Sequence, residues 1–386
     1  MATASFSKNK SSQRSRVLQI PGTKPSLFNH QLLVSSGVPS FDNLLGGGIA
    51  VGSLVLIEED TFGHYGQLLL KYFLSEAVMT GQSILLAGTE GHPQSVLKEL
   101  PKPIVDDVTP VQSNMMQTDE MKIAWRYQHL NKYQSNPTAV KFGHYYDLSQ
   151  YMDEDLVSSA DVTLITSQQL SQQHLHEEPP GIEPTNLEMS ACLQCLLLNI
   201  QQHIQDGQFG TQDQPEKHNV LRIAIPSLGS PLWGNLKTSE SDGLLSIVDT
   251  DLLRFLLALR AILRSSFAVC MVTVPSLIME DANFIHKIER LCDTVVHLES
   301  FAGSSRSENP LYKEYHGLFH VKQLPKLNAI KCQMPDTTDW AFKLRRKKFV
   351  IEKLHLPPDL SETVSRSESR PGIIGCGTTG HRHLDF

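Results

Sequence analysis

Cysteine is scarce. Six residues scattered over 386 form no framework of paired spacings, so a reducing, intracellular setting is expected rather than a disulfide-built one. No apolar run approaches the roughly 18 residues of a helical membrane span, and no membrane partner is expected. The first sixteen residues, MATASFSKNKSSQRSR, lack an apolar stretch, which predicts no secretory signal. A dominant charge is missing too. With 34 Lys and Arg against 41 Asp and Glu, the formal charge of −7 argues against a protein that binds nucleic acid over its whole surface. A local basic patch stays compatible with it.

What is present is alternation. Leu54-Val55-Leu56-Ile57 is an apolar run of the kind buried in a parallel sheet. Gln67 to Thr80 follows as a helix, with Leu68, Leu69, Tyr72, Phe73 and Ala77 at three- and four-residue spacing and Gly81 as its stop. Ser83 to Ala87 is then a second buried strand, completing a βαβ unit. The pattern recurs as a helix over Leu187 to Ile204, a strand at Leu221 to Ile225 and an amphipathic helix over Asp251 to Ser265. Two further strands, Phe267 to Val274 and Thr294 to Leu298, flank a helix over Ala282 to Leu291, and Gly317 to Leu324 and Lys348 to Leu354 read as antiparallel strands. The expected class is α/β, with a mainly parallel central sheet flanked by helices and antiparallel strands at its C-terminal end.

Residues 1–28 are expected to be a disordered lead-in, 29–357 one domain, and 358–386 a flexible tail. Polar stretches at about 101–120, 131–138, 168–186, 205–218 and 235–244 read as surface insertions in that domain.

The turn after Ile57 is where a phosphate-binding loop would lie. Such a loop needs G-x-x-x-x-G-K-[ST], whose glycines let backbone N–H groups close on phosphate while the Lys adds charge and the hydroxyl holds magnesium. Here Glu59 and His64 stand at the two glycine positions, and Tyr65 and Gly66 replace the Lys and the hydroxyl. Asp60 and Gly63 complete this degenerate loop, and the run Glu58-Glu59-Asp60 is expected to repel a triphosphate. The strand that would end in a magnesium-holding carboxylate, Leu221 to Ile225, runs instead into Pro226-Ser227-Leu228. Gly47 to Ser53 has a similar glycine spacing but precedes its strand and lacks the Lys, so it reads as a turn. Neither a catalytic residue, a cofactor nor a metal site is expected. An active ATPase or recombinase paralogue is the alternative, disfavoured by the missing Lys and hydroxyl.

The run LLVSSGVPSFDNLLGGGIAVGSLVLIEED resembles the opening of RecA-like domains. More specifically, LLGGG at 44–48, MKIAWRYQ at 121–128, FGHYYD at 142–147, LGSPLWG at 228–234, ESFAGS at 299–304, NPLYKEYHGL at 309–318 and KLHLPPDLSETVSRS at 353–367 resemble the PAXNEB family of Elongator fourth subunits. The resemblance spans roughly residues 18–367 and the HLDF terminus. It implies a RecA-like subunit with a degenerate phosphate loop, not itself an enzyme. It also implies a hetero-hexameric ring with subunits five and six, docked on the catalytic and scaffold subunits and binding tRNA. That ring supports a carboxymethyl-type modification of the wobble uridine. The implied location is the cytoplasm, with the nucleus as a second site.

Several side chains are candidates for contact. Lys343, Arg345, Arg346, Lys347 and Lys348 form the densest basic run. It reads either as an RNA contact, since Lys and Arg neutralise phosphates, or as a solvated charged strand edge. Trp125-Arg126-Tyr127 and Phe142, His144 and Tyr145 combine aromatics with cations. They fit stacking on unpaired bases or a subunit interface. Trp233, in the loop after Leu221 to Ile225, carries the same two readings. Cys192 and Cys195 form a C-x-x-C without a second pair, and read as core. Arg254, Arg260 and Arg264 line the polar side of the long helix, where solvation or pairing is the ordinary use.

Overall fold

The computed structural model describes residues 20–355 apart from 27–28, 30, 90–91, 105–141, 177–188, 234–237, 242–243, 248–249, 280, 328–336, 338 and 346. The chain opens with β1 (Thr23–Pro25), β2 (Leu32–Val34), α1 (Pro39–Leu44) and β3 (Ile49–Ala50). The apolar run becomes β4 (Leu54–Glu58), followed by α2 (His64–Thr80), β5 (Ser83–Gly88), α3 (His92–Lys98) and β6 (Pro101–Pro103). Next come β7 (Tyr146–Tyr151), α4 (Glu154–Ser159), β8 (Val162–Thr166), α5 (Ser167–His176), α6 (Ala191–Asp206) and β9 (Leu221–Ile225). Then come β10 (Thr238–Ser241), β11 (Leu244–Ile247), α7 (Thr250–Arg264), β12 (Ala268–Val274), α8 (Ala282–Leu291) and β13 (Thr294–Ser300). The last elements are β14 (Gly317–Gln323), β15 (Trp340–Arg345) and β16 (Lys348–Lys353).

Nine strands form one sheet in the order β16-β15-β14-β13-β4-β12-β9-β5-β8. From β13 to β8 every neighbouring pair is parallel, and β13 to β16 are antiparallel. The fold is α/β, with a mostly parallel sheet flanked by helices, and is consistent with a RecA-like fold. Strands buried on both faces explain why β4, β5 and β12, and β9 apart from Arg222, read as mainly apolar runs. One face packs under α2 through Phe41, Phe73, Phe319 and Phe342. The other packs under α5 to α8 through Leu170, Leu196, Phe255 and Phe284. Burying large apolar side chains of this kind stabilises by about 1.5–3 kcal/mol each before chain entropy is counted.

Where local structure departs from the sequence expectation, the cause is polar composition. Residues 167–176, inside a polar stretch, form α5, with Leu170 fully buried. Phe209, inside the stretch at 205–218, is also buried, and its carbonyl accepts the Phe267 N–H at 2.6 Å. Lys343 to Arg345 end β15 and Lys348 starts β16, a hairpin whose Phe342 and Phe349 are buried in the core. Among the described residues no helix is long and apolar enough to cross a membrane.

Candidate site at the carboxyl edge of the sheet

Parallel α/β sheets place ligands beyond the carboxyl ends of their strands. There, β4 leads through Glu59–Gly63 into α2, whose N-cap Gly63 takes a left-handed φ of 68°. Asp60 turns back onto the start of α2. Its Oδ1 accepts the backbone N–H of Tyr65 at 2.9 Å and of Gly66 at 3.3 Å. These are first-turn donors that helix geometry leaves without intrahelical partners and that favour an anion. A carboxylate from the same loop takes that role here.

The two positions that would carry Lys and a hydroxyl have other work. Tyr65 packs on Phe342 with ring centroids 4.5 Å apart and on Phe349 at 6.4 Å, so it joins α2 to the β15–β16 hairpin. Gly66 lies against Glu59: a Cβ there would sit 3.1 Å from Glu59 Cγ. His64 is exposed and stacks against Phe62 at 6.1 Å.

The acidic run does not form one repulsive cluster. Glu58 receives Lys322 Nζ at 2.8 Å on both oxygens and lies 3.0 Å from His297 Nδ1. Burial pushes its carboxyl up, but the bonds from His297 and Lys322 outweigh that and hold it at about 2. Glu59 Oε1 accepts the hydroxyls of Thr273 at 2.5 Å and Ser227 at 2.7 Å. Its carboxyl is nonetheless raised, first by burial and further by the nearby Asp60 charge, which outweigh those two bonds. Thr273 Oγ1 also accepts the Ser227 N–H at 2.7 Å, so Glu59 latches the ends of β4, β12 and β9 together. Ser227 takes a φ of +47°, a strained conformation for a side-chain-bearing residue, and its hydroxyl bond to Glu59 fixes it there. Above this latch the three loops expose Phe62, Leu232, Leu277 and Ile278.

The remaining candidates separate into two groups. Trp233 is 4% exposed and its indole donates to the Pro226 carbonyl at 3.2 Å, so it belongs to the core and offers no surface for RNA or a neighbour. Arg260 and Arg264 both pair with buried Asp293, at 2.8 and 2.5 Å, and Arg254 with Asp251 at 3.4 Å. Cys192 and Cys195 are half-buried on α6, and burial followed by the Cys195 neighbour pushes the Cys192 thiol up to about 11. Trp125, Arg126, Tyr127 and Arg346 lie outside the described residues.

The basic hairpin and the aromatic segment at 142–147 meet on one surface. Lys348 Nζ stands 4.3 Å from the Tyr145 ring centroid, Lys347 pairs with Asp147 at 2.9 Å, and Leu148 donates its N–H to the Lys347 carbonyl at 3.0 Å. Arg345 is exposed beside them. Lys343 instead pairs with Glu352 and lies 5.2 Å from the Tyr315 ring. Phe142 sits under Lys24 at 3.9 Å.

A network the sequence reading missed anchors this segment. Buried Glu76 of α2 accepts the backbone N–H of Gly143 and His144 and the Tyr146 hydroxyl at 2.6 Å, with His144 Nδ1 at 3.1 Å. Arg222, fully buried on β9, donates to Gln82 Oε1 at 2.6 Å, the Ser35 carbonyl at 2.7 Å and the Phe73 carbonyl at 3.0 Å. Burial pulls the guanidinium down to about 10, against the opposing pull of Glu76. The available signal was one Arg inside the strand LRIAI. No group of three metal-ligating side chains occurs among the described residues.

The profile of the PAXNEB protein family matches residues 16–386. The chain belongs to the PAXNEB family. It is 44% identical over 396 aligned positions to Elongator complex protein 4 of Danio rerio, covering 100% of this chain and 96% of that protein. It is 42% identical to Elongator complex protein 4 of Homo sapiens, covering 96% and 90%. The protein of the same name in Saccharomyces cerevisiae is 25% identical, covering 90% and 78%.

Proposed function

We propose that this chain is a non-catalytic subunit of an Elongator complex. It forms a ring of six with subunits five and six, docks on the catalytic and scaffold subunits, and helps present tRNA for carboxymethyl-type wobble-uridine modification. Its work is in the cytoplasm, and in the nucleus as well. The observation that carries the reading is Asp60. A carboxylate seated on the α2 N-terminal donors, beside Tyr65 in place of Lys, leaves the nucleotide position without anion affinity. Names of relatives similar over nearly the whole chain supply the complex.

Two surfaces fit the two parts of this role. The exposed apolar side chains Phe62, Leu232, Leu277 and Ile278 suit burial against a neighbouring subunit. The Tyr145–Lys348 pair with Arg345 and Lys347 suits an RNA strand, with ring faces for bases and cations for phosphates.

Co-expression with subunits five and six, followed by mass measurement and tRNA titration, tests the reading. A six-membered assembly that binds tRNA is expected. A chain that stays outside the assembly, or an assembly without tRNA affinity, contradicts the corresponding part.

A further inference from the structure

The sheet has two edges, and they are treated differently. At one, β16 carries Lys348, Glu352 and Lys353, and Leu148 of β7 donates to the Lys347 carbonyl beside it. Charge and cover of this kind prevent unwanted strand pairing. At the other, β8 pairs with β5 on one side only among the described residues. Its sequence, Val162-Thr163-Leu164-Ile165-Thr166, has no charge and no proline, and its register with β5 runs without a bulge.

Backbone direction makes this edge receptive. In a parallel ladder alternate residues turn both N–H and C=O to the same neighbour. Ile84 donates to the Asp161 carbonyl, which places 161, 163 and 165 toward β5. The Thr166 N–H, facing away, is accepted by Gln169 Oε1 at 3.0 Å. Val162 and Leu164 therefore turn their backbone groups outward with Thr166.

Leu164 borders a cleft of about 650 Å³ walled by α5 and α6, with Gln169, Gln172, Asn199, Gln202, His203 and Asp206 among its lining, and Val162 lies on the same strand edge just outside it. Gln169 Oε1 and Asn199 Nδ2 are already bonded, to the Thr166 N–H and the Cys195 carbonyl, while a side-chain amide such as that of Gln172 or Gln202 carries a donor and an acceptor, the complement of a peptide group. The cleft's charge is one-sided. Asp206 lines it, Asp161 precedes β8, and no Lys or Arg is among its described lining residues. Asp206 ends the crossover helix into β9, so both acids lie at the amino end of the parallel strands.

We propose that β8 is an acceptor for strand addition: an extended segment of a different protein pairs with Val162 and Leu164. The segment has a Lys or Arg against Asp161 and Asp206 and uncharged polar or small side chains along the amide wall. This recognition mode draws affinity from main-chain hydrogen bonds and specificity from side chains. The inference rests on the Elongator reading only for the source of the segment, another subunit.

Hydrogen exchange of the full chain, alone and in the co-purified assembly, tests it. The Val162 and Leu164 amides are expected to slow at least about tenfold on assembly, as newly bonded amides do. A photo-crosslinker at Gln202 should capture a Lys- or Arg-bearing segment of another subunit. Charge reversal by D161K with D206K, both surface positions, should cut that crosslink at least about tenfold by repulsion without lowering the melting temperature. L164P should abolish the slowing, since it removes an outward N–H. Equal exchange alone and assembled overturns the proposal while leaving the Elongator reading intact. So does protection already present in the isolated chain, or a crosslink only to the chain itself or to a second copy. If no assembly forms with the wild-type chain, both fail.

Discussion

Asp60 and Tyr65 are joined by a 2.9 Å bond from the Tyr65 N–H to the Asp60 carboxylate, while the Tyr65 ring packs on Phe342. Asp60 thus occupies the first-turn donors of α2, and Tyr65 ties that helix to the β15–β16 hairpin. Removing the carboxylate by D60A should cost about 1 kcal/mol, as losing a helix-capping side chain does, and should not confer ATP binding. Thermal unfolding and ATP titration of the variant check both. Restoring the missing residues should be worse: Thr at position 66 places a Cβ 3.1 Å from Glu59 Cγ, an overpacking of about 1–3 kcal/mol. A Y65K/G66T chain as stable as wild type would contradict this packing.

The Arg222 guanidinium ties β9 to α2 and to the Ser35 carbonyl from a fully buried position. Arg222→Leu leaves Gln82 and two carbonyls without their donor, removes the positive charge nearest buried Glu76, and should destabilise by about 3–5 kcal/mol, the range for breaking a buried charge network. Urea unfolding measures it. A loss below 1 kcal/mol, on the order of one exposed ion pair, would mean that Glu76 is compensated elsewhere.

Two buried carboxylates give stability opposite pH slopes. Burial raises Asp42 from 3.8 to about 6, against the bonds from Ser35 and Ser36. Its contribution is therefore full below about pH 4 and lost as pH rises through about 6. Glu58, held near 2 against its ordinary 4.5, contributes above about pH 4.5, and that contribution is lost as pH falls through about 2. Unfolding free energy of wild type minus that of D42N should fall between pH 4 and 6. A flat difference would show that Asp42 does not titrate in that window.

If the hairpin contacts tRNA in the proposed ring, R345E with K347E should weaken that binding and flatten its salt dependence by about one to two counterions, following phosphate-contact linkage. Unchanged affinity and slope would assign the run to edge protection alone. The unfolding midpoint should move little, since Arg345 and Lys347 are exposed.

The sheet was legible because β4, β5, β9 and β12 are buried on both faces, so their apolar runs carry the signal without tertiary context. β15 was not, since Lys343 and Arg345 mask the inward Phe342. The departure from a phosphate-loop sequence could be read from Tyr65 and Gly66, but not the physical form of the turn. Residue spacing gives no means of seeing Asp60 turn back onto α2, or Glu58 and Glu59 divide between Lys322 and Thr273. Trp233 misled because a turn sequence does not state which way an indole points. Tyr145 and Lys348, about two hundred residues apart, meet only because β7 lies beside the β15–β16 hairpin.

The central claim is that a carboxylate of the chain itself holds the site where a nucleotide's phosphates would bind. Calorimetric titration of the purified full chain with ATP and magnesium tests it most directly. The account predicts no saturable heat up to millimolar nucleotide; micromolar binding by the isolated chain would contradict it.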